Sequence, residues 1–286
     1  MTLLVEHVGF TTVQDAGRRG WAHLGVSHSG AADRGSFHLA NRLLGNSSGA
    51  AVLESAGGVA VRATSDTFVV LTGAECDAAL NDRPVSHCPP LLMRAGDLLR
   101  VSTVRHGVWM YLGVAGGIDG PEQLGSRSHD TLGNIVPLPL DNGSELEVGV
   151  LQGTPLGMDT PVALRDTERV GITAGPHGYM FRQDDLVDIF RQPWTVSGVR
   201  LMGTTVHRQL TDELHSFPLV RGAVQLTPAG ELVVMLADHP TTGGYPVVGV
   251  VLPLDVDRLA QARAGARDVA MEAGVTRRRR KPPRRT

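Results

Sequence analysis

Short apolar runs separated by Gly, Pro, Asn and Asp dominate this chain, and they predict strands more often than helices. Val52–Leu53, Val59–Arg62, Thr67–Leu71, Leu91–Met93, Leu98–Val101 and Val108–Val114 are such runs in the first half. Leu146–Leu151, Val170–Thr173, Ala223–Leu226, Leu232–Ala237 and Val247–Leu252 continue the style in the second. Turn residues at this spacing accompany compact β structure. Glycine turns precede three strands, at Arg94-Ala95-Gly96-Asp97, Asp141-Asn142-Gly143 and Arg263-Ala264-Gly265. No fixed period recurs, which argues against a solenoid or propeller. Three segments carry a helical period instead. After Asp33, a good N-cap, Phe37, Ala40 and Leu44 share a face and Gly45 supplies a stop. Asp184–Arg191 carries Leu186, Ile189 and Phe190 and stops before Pro193, while Asp255–Arg263 carries Val256, Leu259 and Ala260. The pattern predicts a mainly β protein with a few helices.

One polar stretch interrupts the pattern. Between Thr11 and Glu54, the residues Gln14, Asp15, His23, His28, Ser29 and Asp33 fall close together, among Gly17, Gly20, Gly25, Gly30 and Gly35. Glycine permits close backbone approach, so this reads as a loop beside a ligand, anchored by the following helix. Asp15 and Asp33 are candidates to position groups or accept protons, although capping alone accounts for Asp33. Gln14, His28 and Ser29 are candidate hydrogen-bonding groups, and backbone bonding would equally occupy the last two. Asn41 stands in a helix-forming Leu39-Ala40-Asn41 run, where its amide could meet a planar amide, carboxylate or lactam, or simply face solvent.

Two sharper motifs fail. His23, His28, Asp33 and His38 recur every five residues, but five helical residues rotate by about 500°, so the side chains do not share a face. The spacing matches no usual zinc pattern, and no metal site is read here. Gly25-Val26-Ser27-His28-Ser29 misses the final glycine of a nucleophile elbow.

A second cluster, Ala237 to Pro246, lies between the apolar runs ELVVMLA and VVGVVLP. Asp238, His239, Thr241, Thr242 and Tyr245 there could build a hydrogen-bonding cradle, whereas a tight turn would need only Gly243-Gly244. Arg127 could bind a carboxylate through its planar fork, or form a surface ion pair.

Composition narrows the chemistry. The only lysine is Lys281, so the body lacks a Walker-type G-K-[ST], a Schiff-base amine, a biotin attachment point and the Ser-Ser-Lys amidase triad. Seven of the 27 basic residues lie in the last ten positions, leaving 20 basic against 29 acidic residues elsewhere. That run reads as a disordered basic tail, and the acidic body argues against specific nucleic-acid binding. No apolar run reaches the ~20 residues of a membrane span, and no signal sequence is evident. With Cys76 and Cys88 isolated, the expected address is the cytoplasm.

The ordered motifs resemble one family. Thr11-Thr12-Val13-Gln14-Asp15, Gly17-Arg18, His23-Leu24-Gly25-Val26, Ser29-Gly30, Asp33, Leu39-Ala40-Asn41 and Gly45-Asn46 carry the first part of the resemblance. They are similar to the opening of the group that includes the C subunit of 5-oxoprolinase, the KipA protein and part of the carboxyltransferase region of urea carboxylase. Members are often labelled allophanate hydrolase subunit 2. Leu71-Thr72-Gly73-Ala74, Ala115-Gly116-Gly117-Ile118, Leu124-Gly125-Ser126-Arg127-Ser128 and Thr241-Thr242-Gly243-Gly244-Tyr245-Pro246 follow in order, so the likeness runs from roughly residue 3 to 270. It implies two cyclophilin-like β-barrel lobes, residues 1–115 and 116–275, meeting near Ala115–Asp119, with 276–286 as the tail. The sequence departs from the family at Thr195–Gly203, which lacks an Arg-Met-Gly core, at Val247, where a lysine is common, and at Ser216-Phe217-Pro218.

The resemblance implies a component of an ATP-dependent 5-oxoprolinase. In that role the chain would act with a KipI-like protein of the B type and a LamB/YcsF-like protein of the A type, on a small lactam or amide. No covalent cofactor is implied, and ATP would be bound mainly by a partner. Donor candidates around a developing charge are Gln14, Asn41, Arg127, Thr241 and Thr242, with Asp15, Asp33 and Asp238 as acid–base candidates. Two other roles fit the same resemblance: a carboxyltransferase component served by a separate biotin carrier, and a noncatalytic regulator like KipA.

Overall fold

The computed structural model describes residues 1–133, 135, 140–156, 169–191, 193–197, 200–203, 206, 213–265 and 269–273. The basic tail lies outside the described residues.

The N-terminal half forms one antiparallel sheet with a helix against it. In chain order its elements are β1 (Thr2–Val8), β2 (Thr11–Gln14), α1 (Arg34–Leu44), β3 (Val52–Ser55), β4 (Val59–Ala63), β5 (Thr67–Leu80), β6 (Arg83–Pro84), β7 (Leu91–Met93), β8 (Leu98–Val114) and β9 (Glu145–Glu147). The strands run β2-β3-β8-β4-β1-β9, and β5 pairs with β8 while carrying β6 and β7. Alternation along these strands sends Leu3, Val5, Val61, Leu71, Leu99 and Leu112 into one buried cluster. Each such side chain contributes about 1.5–3 kcal/mol through burial. Helix α1 begins where expected: Asp33 Oδ1 accepts the Ser36 N–H at 3.0 Å. It ends at Gly45 with φ of 69°. Phe37, Ala40 and Leu44 are buried on its inner face.

The C-terminal half closes on itself. It comprises β10 (Arg169–Ala174), α2 (Gln183–Arg191), β11 (Pro193–Ser197), β12 (Arg200–Met202), β13 (Phe217–Pro218), β14 (Ala223–Leu226), β15 (Leu232–Val234), β16 (Thr242–Gly243), β17 (Val247–Val251), α3 (Pro253–Ala260) and β18 (Val269–Ala273). The barrel order is β10-β17-β14-β15-β12-β11-β18, and β18 returns to β10. That closing pair is parallel, whereas the other barrel pairs are antiparallel. Val170, Ile172, Trp194, Val224, Leu226 and Val248 fill the interior. The two-lobed, mainly β architecture expected from the sequence is present, although the first sheet curls without closing.

Two details differ from the sequence reading. Glu145–Glu147, which the expected boundary assigns to the second lobe, pairs with β1 on the edge of the first sheet. The Ala115–Asp119 turn lies within the first lobe as well, where Ile118 bridges Ala51 and Val148. The lobes meet instead where the N-terminus of α1 faces α3. Asp257 accepts the N–H groups of Arg34 (3.2 Å) and Gly35 (3.0 Å) and pairs with Arg221 at 2.9 Å. Arg221 Nη2 also donates to the Ala32 carbonyl at 2.6 Å.

Candidate functional site

The polar loop after β2 is held by an inward-facing carboxylate. Asp15 Oδ1 accepts from the Gly17 N–H (2.7 Å) and from the hydroxyls of Ser126 and Ser128 (both 2.6 Å), while Oδ2 accepts the Arg127 N–H at 2.6 Å. All these donors belong to the chain itself, so Asp15 fastens the Ser126–Ser128 segment to the end of β2. The expected acid–base role for Asp15 is replaced by a structural one. Arg127 is likewise committed, through Asp119 at 2.7 Å and Glu122 at 3.1 Å.

Asn41 is a second correction. Its Nδ2 donates to the Ala50 carbonyl at 2.8 Å, and its Oδ1 accepts from Asn46 at 3.1 Å. Fully buried, the amide fixes the turn after α1 and has no face left for a substrate. Asp33 also works locally, taking the Ser36 N–H, the Ser36 hydroxyl at 2.6 Å and Gln261 Nε2 at 3.0 Å. Capping explains it.

Arg18, which the sequence reading did not name as a site residue, organises the loop. Arg18 is 1% exposed; its Nη1 donates to Ser29 Oγ at 2.9 Å and its Nη2 to the Ser128 carbonyl. Ser29 takes a φ of 52°, unusual for a residue with a side chain, and its hydroxyl is spent on Arg18. Gln14 Nε2 donates to the His129 carbonyl at 3.2 Å, while its Oε1 is buried without a hydrogen bond. From the other lobe, Asp238 Oδ2 accepts the Thr131 N–H (3.1 Å) and hydroxyl (2.7 Å), and Asp238 Oδ1 is buried and unbonded. Buried polar atoms without partners are uncommon.

Two histidines repeat one arrangement on opposite lobes. His28 Nδ1 lies 3.1 Å from the Ser29 carbonyl, and His239 Nδ1 lies 2.8 Å from the Pro240 carbonyl. A carbonyl only accepts, so each Nδ1 carries a proton, and each ring keeps its Nε2 for another partner. Burial pushes the His28 pKa down against the pull of the Ser29 carbonyl, and Arg34, Arg19 and His239 push it further. Beyond His239, Thr242 and Tyr245 are exposed and Thr241 half-buried, on the rim. Thr242 pairs with Pro218, and the Gln225 amide binds the Tyr245 carbonyl at 3.0 Å.

The sequence reading missed Glu54. It sits on β3 directly opposite Tyr111 of β8. Its Oε2 accepts the Ala32 N–H (2.8 Å) and the Tyr111 hydroxyl (2.7 Å), and that hydroxyl accepts the Asp33 N–H at 2.7 Å. Burial raises its pKa to about 7, against the two hydrogen bonds, with the negative charges of Asp238 and Asp33 adding to the rise. Burial also lifts Tyr111 well above its ordinary range. A carboxyl that titrates near neutrality can give or take a proton at working pH. Only an acidic residue in the short buried strand Val52–Ser55 hints at this, and nothing local distinguishes it.

Among the described residues, no group of three or more His, Cys, Asp or Glu side chains could hold a metal ion. No helix there is long and apolar enough to cross a membrane.

This geometry belongs to a chain with recognisable relatives. A family model described as carboxyltransferase domain, subdomain A and B, matches residues 24–269. The chain is 35% identical over 266 residues to the C subunit of 5-oxoprolinase from Escherichia coli (strain K12), covering 90% of this chain and 86% of that protein. It is 30% identical to the urea amidolyase of Lachancea kluyveri over 90% of this chain but 16% of that protein. The crystal structure of TTHA0988 superposes with a TM-score of 0.86 at 33% identity, covering 95% of this chain and 55% of that one. Kluyveromyces lactis urea carboxylase superposes with a TM-score of 0.85 at 26% identity, with 95% and 27% covered. The chain thus spans about half of the TTHA0988 chain and a smaller part of urea carboxylase.

Proposed function

The chain belongs to the carboxyltransferase domain family, subdomains A and B, and from that premise we propose that it is the C subunit of an ATP-dependent 5-oxoprolinase. One observation carries this reading: its likeness to the E. coli C subunit extends over 90% of this chain and 86% of that protein. The match to urea amidolyase takes in only 16% of the larger protein. The proposed complex opens the lactam of 5-oxoproline to glutamate, with a KipI-like protein and a LamB/YcsF-like protein as the other components. ATP is held mainly by a partner, since this chain offers no lysine-bearing phosphate loop.

Within the complex, this chain contributes polar groups from both of its lobes. Glu54 handles a proton near neutral pH, Asp238 acts on it electrostatically from the second lobe, and His28 and His239 each offer an Nε2 as a hydrogen-bonding group. A lactam is a stabilised amide, so activating its oxygen makes the carbonyl more electrophilic, and aligned hydrogen-bonding groups lower the remaining barrier.

The test is ATP-dependent glutamate release from 5-oxoproline by the reconstituted complex, with each component omitted in turn. Activity that needs this chain and falls at least about tenfold in Glu54→Gln supports the proposal. A well-assembled complex without turnover sinks it, and leaves a KipA-like regulator.

A second reading is carboxyl transfer with a separate biotin carrier, favoured by the family model and the urea carboxylase superposition. It predicts bicarbonate-dependent product formation that requires the carrier. Supplying carrier, bicarbonate and urea separates the two.

A further inference from the structure

Strand pairing sets the surroundings of Glu54. Thr12 of β2 and Tyr111 of β8 stand directly opposite it, and Thr72 of β5 stands opposite Tyr111. Directly paired residues project from the same face of a sheet, so Thr12, Glu54, Tyr111 and Thr72 form one row. The neighbouring row, Val13, Leu53, Leu112 and Leu71, points the other way into the apolar cluster.

Within the polar row the two oxygens of Glu54 differ. Oε2 accepts the Ala32 N–H at 2.8 Å and the Tyr111 hydroxyl at 2.7 Å. A backbone N–H only donates, so the Tyr111 oxygen accepts from Asp33 (2.7 Å) and its own proton is directed at Glu54. The reverse arrangement, with Glu54 donating to Tyr111, would leave a buried phenol proton without an acceptor. Tyr111 is wholly buried, and burial lifts its pKa well above the ordinary range, so it keeps that proton. With two donors already on Oε2, a proton held by the carboxyl sits on Oε1. Oε1 takes no hydrogen bond among the described residues, and it is not sealed from solvent as Gln14 Oε1 and Asp238 Oδ1 are. The other charged groups facing Glu54 are Asp33, already bonded to Ser36 and Gln261, and Asp238.

Building on the 5-oxoprolinase reading, we propose that Glu54 transfers its proton through Oε1, and that Tyr111 is the positioning residue that keeps it there. The proton goes to the lactam nitrogen. In the adduct of water with the ATP-activated lactam, the C–N bond breaks and its electron pair passes to nitrogen, which takes the proton from Oε1. The adduct's hydroxyl gives its own proton to solvent as the C=O bond forms. A second water hydrolyses the resulting acyl phosphate to glutamate and phosphate, and solvent returns a proton to Glu54. Tyr111 and Ala32 favour this transfer, because a hydrogen bond to the carboxylate it creates is about twice as strong as one to the neutral acid.

Tyr111→Phe keeps the ring and removes the hydroxyl. Losing a bond to the carboxylate raises the pH at which Glu54 gives up its proton. In the reconstituted complex, the descending limb of the kcat–pH profile should therefore move up by roughly one to two units, with KM changed less than about twofold. An unmoved limb, or a loss carried by KM, overturns the positioning role while leaving the oxoprolinase reading standing. The isolated full chain is read without turnover, through the infrared carbonyl band of protonated Glu54, identified as the band missing in Glu54→Gln. In the wild type it should lie at the low wavenumber of a carbonyl that accepts two hydrogen bonds. In Tyr111→Phe it should move to higher wavenumber and titrate away at higher pH. A band that the variant leaves unmoved overturns the proposal. So does a wild-type band at the position of a carbonyl without hydrogen bonds, a result that needs no folded variant.

Discussion

Gln261 pairs with Trp109 across the lobe boundary as a strand residue would: its Oε1 accepts the Trp109 N–H at 2.9 Å, and its Nε2 donates to the Trp109 carbonyl at 2.9 Å. The same amide accepts the Val108 N–H at 2.9 Å and reaches Asp33 at 3.0 Å. One side chain just beyond α3 thereby docks on β8 and on the cap of α1. Gly107 makes room for it, since a Cβ there would stand 2.9 Å from Gln261 Oε1.

Gln261→Ala should therefore loosen the lobes against each other. Losing these bonds and leaving backbone groups unsatisfied costs on the order of 2–3 kcal/mol. Hydrogen exchange should rise at Val108 and Trp109 and spare the barrel interior. A uniform change across both lobes would contradict the local role.

Glu54 gives stability a pH dependence of definite sign. Its pKa rises from 4.5 to about 7 on folding. Between those values the folded state holds a proton that the unfolded state has lost. The protonated carboxyl's contribution is therefore fully present below pH ~4.5, and stability falls as pH rises toward ~7, by about 3 kcal/mol in all. Glu54→Gln should flatten that slope and gain relative stability above pH 7. Urea melts of both proteins from pH 5 to 8 decide the matter; parallel curves would refute it.

Asp238 should act on Glu54 from a distance. Its negative charge adds to the raised pKa of Glu54. Removing it in Asp238→Asn should lower the pH at which the Glu54 carboxyl titrates, as followed by carboxyl infrared absorption or carbon NMR. An unchanged titration would show that the lobes do not communicate through these two groups.

Asp15 should behave as a structural post. Asp15→Ala removes the acceptor for two backbone N–H groups and two serine hydroxyls in a buried place. A loss of about 3 kcal/mol or more is expected. Asp15→Asn should do little better, because its amide hydrogens would face donors. Limited proteolysis should find new cuts near Ser126–Ser128 if the segment is released.

Features written in local signals were legible in the sequence. The Asp33 cap, the Gly45 stop and the buried Phe37 face of α1 each depend on a few neighbouring residues, and all are present. Helix α3 starts at Pro253, two residues before the expected Asp255, because proline is well suited to the first turn. The strands run longer than the apolar runs suggest, for an equally local reason. Gly73 and Gly107 interrupt the apolar pattern, yet β5 and β8 pass through them with positive φ, and their pairing shifts register between Gly73 and Glu75. The site was less legible because its parts are far apart in the chain. Glu54 gains its character from Tyr111, from burial and from Asp238 in the other lobe, none of which a strand reading VLES discloses. Asn41 misled in the opposite direction: its partners, Ala50 and Asn46, lie nearby, but the turn that unites them is not written in its own residue type.

The parallel pairing of β10 with β18 has a consequence for the order of synthesis. The strand that opens the second barrel finds one of its two neighbours only when Val269–Ala273 has emerged. The first sheet, complete once β9 pairs with β1, can fold while the second lobe is still being made. Helix α3, which secures the junction, arrives just before the closing strand. Glu54 thus waits in a finished half until the residues around Asp238, whose charge acts on it, have been made.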